Sequence, residues 1–340
     1  MARHALVTGG AGFIGSHLVE ALLASGYQVT AVDDESTGSA MNLTSARHQA
    51  AAAHPPAALR YLPGNAADAS LMEEVIAEVD LIFHLAAAVG VGLVSTRSSE
   101  AIERIVQPTR VVLRLASERL RRERGNGAGL RLFLASSSEV YGKNPAPFWR
   151  EADDLHWGPP TCARWAYGVA KALDEFMAMA AVREFGLPVV VGRFFNVIGP
   201  RQSGAHGMVV PRFIAAARAG LPLFVHGDGR QERCFADVRD MVRVVIELTN
   251  CDRAVGEIVN IGSDQPISIA QLAREVLRLF PDSNSTIEMQ SYDAAYGAGF
   301  EDVRRRVPDL TKLHHLVPPR PQRSLQQTLL ELSRHSRERI

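Results

Sequence analysis

No stretch of this 340-residue chain approaches the roughly 18 consecutive apolar residues that a membrane span requires. A surplus of charge of either sign is also missing, because 37 basic residues face 37 acidic ones. A nucleic-acid or membrane-surface partner is therefore not expected. Cysteine is scarce: Cys162, Cys234 and Cys251 are scattered, with neither a disulfide framework nor metal-ligand spacing. No metal site is expected. The chain begins at once with a strand-like run and shows no signal-peptide architecture. Together these absences lead to the expectation of a cytoplasmic protein. No internal repeat is apparent. A chain of this length can bury one large core or two intimate ones.

What is present is an alternation of short aliphatic runs with amphipathic segments. Ala5–Thr8, Gln28–Asp33, Leu81–Leu85, Leu130–Leu134 and Pro188–Arg193 read as buried strands. Gly12 to Ser25 reads as a helix ended by Gly26. That pattern predicts parallel strands joined by crossovers, the doubly wound α/β (Rossmann) architecture. Ser36 to Pro63 shows little periodicity and reads as a loop, and Gly125 to Gly129 as a joint. Pro108 should kink its helix or set its start. Residues 1–195 are expected to form the dinucleotide-binding domain, with 227–261 returning to it through a strand at Gly256–Asn260. Residues 196–226 and 262–320 would build a smaller substrate-binding part, and 321–340 a C-terminal helix.

Two motifs carry the chemistry. Gly9-Gly10-Ala11-Gly12-Phe13-Ile14-Gly15 follows the first strand. Gly9 would allow the tight turn, Gly12 the approach of a diphosphate, and Gly15 close helix–strand packing, with the diphosphate at the helix N-terminus. Asp33 ends the second strand, where a carboxylate can accept both ribose hydroxyls and repel a 2′-phosphate. That favours NAD over NADP, and the adjacent Asp34 can share the task. The second motif is Tyr167-Gly168-Val169-Ala170-Lys171. A phenol and an ammonium four residues apart share a helix face, and the ammonium is expected to draw the phenol's pKa down so that it can serve as a general base. Alone, such a pair is an ordinary surface feature of a helix. Ser136-Ser137-Ser138-Glu139 follows a buried strand end, where a hydroxyl can complete a Ser/Tyr/Lys proton relay.

With these residues in place the chain resembles the extended short-chain dehydrogenase/reductase family, which acts on nucleotide sugars. The resemblance spans nearly the whole length. It rests on Thr8–Gly15, His84–Ala87, Ser136–Gly142, Tyr167–Lys171, Arg193–Asn196, Gly199–Arg201 and Gly227–Gly229. It implies a UDP-sugar substrate, oxidation at the sugar C4, and a homodimer. It also implies cofactor contacts from Leu85, Ala86, Ala87, Asn65 and Asp68. Substrate contacts would come from Asn196, Arg212, Arg233 and Arg306. Ile105 and Pro108 depart from the family's usual Asn and Gly, and Asn65 replaces an acid.

The hydroxyl-Ser-Glu-Val-Tyr-Gly run from Ser137 to Gly142 resembles the UDP-glucuronate decarboxylases, which usually carry Thr where Ser137 stands. Dehydratases of the family place Asp at Ser138, and 4-epimerases usually lack the acid at Glu139. Gly158–Tyr167, Arg233–Asp237 and Tyr296–Pro308 resemble the same decarboxylase branch. This implies Ser137, Tyr167 and Lys171 as the oxidising relay, with Ser138, Glu139 and Arg306 serving carboxylate loss. Arg306 has a second reading, as a contact to the UDP diphosphate. The expected products are UDP-4-keto-pentose, UDP-xylose or both. The alternative enzyme is a UDP-sugar 4-epimerase. A non-catalytic NAD(H) sensor is the reading of another class, and the retained Ser/Tyr/Lys set speaks against it.

Overall fold

The computed structural model describes residues 2–52, 58–87, 97–123, 129–204, 208–296 and 301–335. Six strands follow one another along the chain: β1 (His4–Thr8), β2 (Gln28–Asp33), β3 (Leu59–Pro63), β4 (Leu81–His84), β5 (Arg131–Ser137) and β6 (Val189–Phe194). They pair in parallel in the order β3-β2-β1-β4-β5-β6, and the late strand Ile258–Ile261 adds beside β6. Their central residues are aliphatic on both faces because both faces are covered. On one side lie helix α1 (Phe13–Ala24) and the Val238–Asn250 helix, closing Leu18, Leu22, Met241 and Val245 over Val7, Phe83 and Phe133. On the other lie helices Ala69–Ile76, Ser98–Arg122 and Ala166–Phe185, whose Met72, Val112 and Ala178 cover Leu6, Ile82 and Leu132.

A smaller part has its own core of Phe213, Leu223, Leu272 and Leu329. Its strand Glu232–Cys234 lies between Pro266–Ser268 and Arg305–Arg306. The C-terminal helix spans Leu325–His335, and Leu329 seats it on that core.

Three local readings change. Ser36 to Pro63 is not a featureless loop: it holds a 3₁₀ turn (Ala40–Leu43), a helix (Thr44–Ala52) and the edge strand β3. Leu43, Ala46 and Ala50 join the core beneath α1, while β3 is only half-buried and so carries no aliphatic run. Strand β5 continues through Ser137, because its pairing with β6 persists at Ser136–Arg193 and Ser137–Phe194. The Ser98–Arg122 helix begins well before Pro108 and continues past it. Packing of its Ile105 against Ala170 of the facing helix outweighs proline's local preference. The Gly125–Ala128 joint and Gly297–Phe300 lie outside the described residues.

Candidate active site

The strand order reverses between β1 and β4, and a cavity of about 730 Å³ opens at the carboxyl ends of the strands there. Its floor is the glycine loop. Helix α1 starts at Phe13 with no side chain capping its N-terminus, so its first N–H groups and its dipole face the cavity. The loop is held tightly: a Cβ on Gly15 would lie 2.0 Å from the Gly9 carbonyl oxygen. Gly9, Gly12, Phe13, Ile14 and Gly15 all line the cavity.

Asp33, at the end of β2, also lines it. Its carboxylate accepts the Ala11 N–H at 2.9 Å and the Glu35 N–H at 2.8 Å, which fixes it against the loop. Burial pushes its carboxyl above the ordinary value, against the pull of these two N–H groups. Each oxygen keeps a second lone pair for a ribose hydroxyl. Asp34 accepts the Asn65 side-chain amide at 3.2 Å, and both residues line the wall with Leu85, Ala86 and Ala87. Asp68 stands apart. Its carboxylate caps the Ala69–Ile76 helix through the Ser70 and Leu71 N–H groups, away from the cavity.

Opposite the loop, β5 delivers Ser136 and Ser137. Ser137 caps the 3₁₀ turn Ser138–Tyr141 by accepting the Glu139 N–H at 3.2 Å. Tyr167 sits in the first turn of the Ala166–Phe185 helix. That helix lies directly on the turn, because a Cβ on Gly168 would come within 2.4 Å of the Glu139 carbonyl oxygen. The Ser137 hydroxyl faces the Tyr167 phenol and favours its ionised form. Burial, then the charge of Glu139, push the phenol's pKa up, with the Ser137 hydroxyl opposing them. The expected lowering by Lys171 is not found. The Lys171 ammonium is engaged by Asp174, its Nζ donating to Oδ2 at 2.7 Å with both groups buried.

Glu139 is gripped from two sides. Arg164 reaches one carboxylate oxygen at 2.6 Å and Arg306 the other at 2.7 Å. Burial opposes its charge, yet the Arg306 and Arg164 guanidinium groups hold its carboxyl far below the usual carboxylate range. Behind them Arg233 donates to Asp302 at 2.8 Å, and Asp302 accepts the Tyr292 hydroxyl at 2.7 Å. Three buried guanidinium groups thus face two carboxylates, leaving this end of the site cationic. Ser138, Asn196 and Arg306 line the cavity, whereas Arg233 and Arg212 do not. Asn196 donates to the Cys234 carbonyl at 2.9 Å, and Arg212 lies beside His226 at 3.3 Å.

The model of the "NAD dependent epimerase/dehydratase family" matches residues 5–262. The chain belongs to that family. It is 37% identical over 339 residues to the UDP-N-acetyl-alpha-D-glucosaminuronate decarboxylase of Bacillus cytotoxicus, covering 99% of each chain. It is 32% identical to UDP-glucuronic acid decarboxylase 1 of Xenopus tropicalis, covering 99% of this chain and 73% of that one. UDP-glucose 4-epimerase of Thermotoga maritima superposes with a TM-score of 0.83 at 26% identity, covering 98% of both chains.

NAD is the cofactor of this epimerase/dehydratase family, and the cavity fits it. The uncapped α1 terminus suits a diphosphate, and the anchored Asp33 carboxylate suits an unphosphorylated ribose. Among the described residues no cluster of potential metal ligands occurs, and no helix is long and apolar enough to cross a membrane. Sequence reasoning missed Arg164 and Asp174. Asp174 lies three residues from Lys171 on the same helix, a spacing that shares a helix face and was the available signal, whereas Arg164 lies in the 3₁₀ turn before that helix and had none.

Proposed function

We propose that the protein is a UDP-hexuronate decarboxylase that oxidises its substrate at C4 and releases the C5 carboxylate as CO₂. UDP-glucuronate is the leading substrate, and its 2-acetamido counterpart is the second. The observation that carries the reading is the Arg164–Glu139–Arg306 cluster on the cavity wall beside Tyr167 and Ser137. A cationic site next to an acid–base pair suits a sugar whose carboxylate lies one carbon from the reacting hydroxyl. The relatives named as decarboxylases, matched over nearly the whole chain, support it.

When bound, NAD supplies the acceptor for the C4 hydride, a positive ring charge that favours ionisation of the phenol, and the hydride donor for any return step. Tyr167 takes the proton of the 4-hydroxyl while Ser137 holds the same oxygen. The product is a β-keto acid. Its C5–carboxyl bond breaks with the electron pair flowing to the C4 oxygen, where the Tyr167 and Ser137 hydroxyls stabilise the enolate. Glu139 is ionised and cannot itself supply the C5 proton. With Arg306 it positions a water to do so.

Val169, Leu173 and Phe176 form an exposed stripe at helical spacing on the Ala166–Phe185 helix, and the Ser98–Arg122 helix packed against it exposes Ile102. Phe176 is 65% exposed. This stripe supports a homodimer joined through these helices.

The test is incubation with NAD⁺ and either UDP-glucuronate or its 2-acetamido counterpart, reading nucleotide-sugar mass and NADH absorbance together. Loss of the carboxyl mass is expected. The ratio of pentose to keto-pentose, with any NADH build-up, measures how tightly the ketone is held. Unchanged mass with inverted C4 would refute decarboxylation in favour of the 4-epimerase reading.

A further inference from the structure

The Lys171–Asp174 contact is unusual for its surroundings. The chain has three lysines, and Lys143 and Lys312 pair with Glu301 and Glu257 at the surface. Lys171 alone is buried, at 3% exposure, and its partner Asp174 is fully buried. The two lie one helical turn apart, so the helix itself fixes their approach. We propose that Asp174 is a positioning residue, which anchors the Lys171 ammonium, offsets its charge at Tyr167, and thereby sets the pH range in which Tyr167 accepts the substrate proton. The inference rests on Tyr167 and Lys171 being the acid–base pair of the reaction proposed above.

The geometry gives Asp174 this influence over its neighbours. An isolated ammonium four residues from a phenol would favour the phenolate, while an ion pair presents a dipole with little net field. After burial, Tyr167 accordingly feels Glu139 and, less strongly, Asp174 as unfavourable to ionisation. The other groups facing the pair are already committed. His84 of β4 bonds the Thr8 and Thr109 hydroxyls through its two ring nitrogens, and burial, then the Lys171 charge, bring its pKa down to about 3. It therefore stays neutral where the enzyme works. Glu175, next along the helix, is paired with Arg193 at 2.7 Å and accepts the Ser136 hydroxyl at 2.5 Å. Glu139 is held by Arg164 and Arg306. Burial pushes the Asp174 carboxyl above its ordinary value, while the Lys171 ammonium and then the Thr109 hydroxyl oppose it and favour the carboxylate. Within this shell, Asp174 is the anion in contact with the Lys171 ammonium.

Two readouts test the inference. The first needs neither substrate nor cofactor. Three lysines make the ¹H–¹⁵N spectrum of the ammonium groups simple to assign. One signal should be protected from exchange, vanish in Lys171→Met and lose its protection in Asp174→Asn. A wild-type spectrum with no protected ammonium overturns the proposal. The second is the pH profile of kcat/KM with UDP-glucuronate. In Asp174→Asn the ascending limb should move about one pH unit toward acid. Asp174→Glu, which keeps the charge, should restore it. An unmoved limb in folded Asp174→Asn overturns the proposal.

A buried ammonium left without its anion can unfold the protein. In that event the double variant Lys171→Met/Asp174→Leu, which buries no charge at this point, is compared with Lys171→Met. Lys171→Met should carry the limb toward alkali, and the double variant should bring it back. Equal displacement in both overturns the proposal. Absence of turnover by the wild type would refute the decarboxylase reading instead, and would leave the spectroscopic result standing.

Discussion

Substituting Glu139 by Gln should tighten substrate binding and slow the reaction. Glu139 touches Arg164 at 2.6 Å and Arg306 at 2.7 Å. An anion gripped by the same guanidinium groups must lie within about 5 Å of the Glu139 charge, where repulsion at an effective dielectric constant near 20 is about 3 kcal/mol. The cavity is open to water, so roughly half of this survives, equivalent to about a tenfold change in affinity. Removing the charge should therefore lower KM for UDP-glucuronate about tenfold. The decarboxylation step moves negative charge away from the carboxylate into the enolate. A site that holds the carboxylate more firmly raises that barrier, so kcat should fall at least tenfold. The assay is CO₂ release against substrate concentration, with single-turnover kinetics to establish that KM reports binding.

The free variant should also be less stable, because two buried guanidinium groups then face each other without their shared anion. UDP-glucuronate should restore the melting temperature more than UDP-glucose, which has the same nucleotide but no carboxylate. A folded Glu139→Gln protein with unchanged or raised KM, or one rescued equally by both ligands, would refute the electrostatic account of this site.

Other outcomes follow from the same geometry. Tyr167→Phe should abolish turnover while NAD binding, read by calorimetry, stays near wild type; retained turnover would sink the proposed mechanism. Arg306→Ala should block CO₂ release, and a variant that decarboxylates normally would demote Arg306 to a nucleotide contact. His17 donates from Nε2 to the Pro200 carbonyl and faces the Arg201 guanidinium with Nδ1, and burial, then Arg201, bring its pKa from 6.5 to about 4. The fold excludes the protonated form, so stability is intact above the unfolded pKa and is lost as pH falls toward 4, by on the order of 3 kcal/mol. His17→Gln should shrink the drop in melting temperature between neutral and mildly acidic buffer, although His84, which shares the same direction of shift, keeps part of it. An unchanged drop argues that His17 is not held neutral. Phe176→Glu should yield monomers in sedimentation, and a persistent dimer would place the interface elsewhere.

The residues that were legible in the sequence are those whose role follows from local spacing. The glycine loop, Asp33 at the end of β2, and the Tyr167/Lys171 pair are each set by one turn or one helix face, and they meet in one cavity. The strands buried on both faces were legible for the same reason, as continuous aliphatic runs. Edge strand β3 was not, because half-burial leaves it without a strong pattern. Asp68 shows the limit of counting residues from a motif. It lies near Asn65 in sequence, but a carboxylate directly before a helix is captured by that helix's own N–H groups.

What local spacing cannot give is the charge state of a group, and here that decides the chemistry. Tyr167 and Lys171 suggest an activated phenol when read alone. With Asp174 one turn further on, the ammonium is already paired, and burial leaves the phenol protonated. Glu139, read alone, is a residue that serves carboxylate loss, with no charge state fixed. Between Arg164 and Arg306, which come from segments far apart in the chain, it is a fixed anion. One consequence follows for the proposed reaction. The phenol is not primed in the protein by itself, so transfer of the 4-hydroxyl proton to Tyr167 would wait on the positive ring of the oxidised cofactor, against the opposing charges of Glu139 and of the substrate carboxylate. That positive charge is present only with oxidised cofactor bound, which would couple ionisation of Tyr167 to cofactor binding.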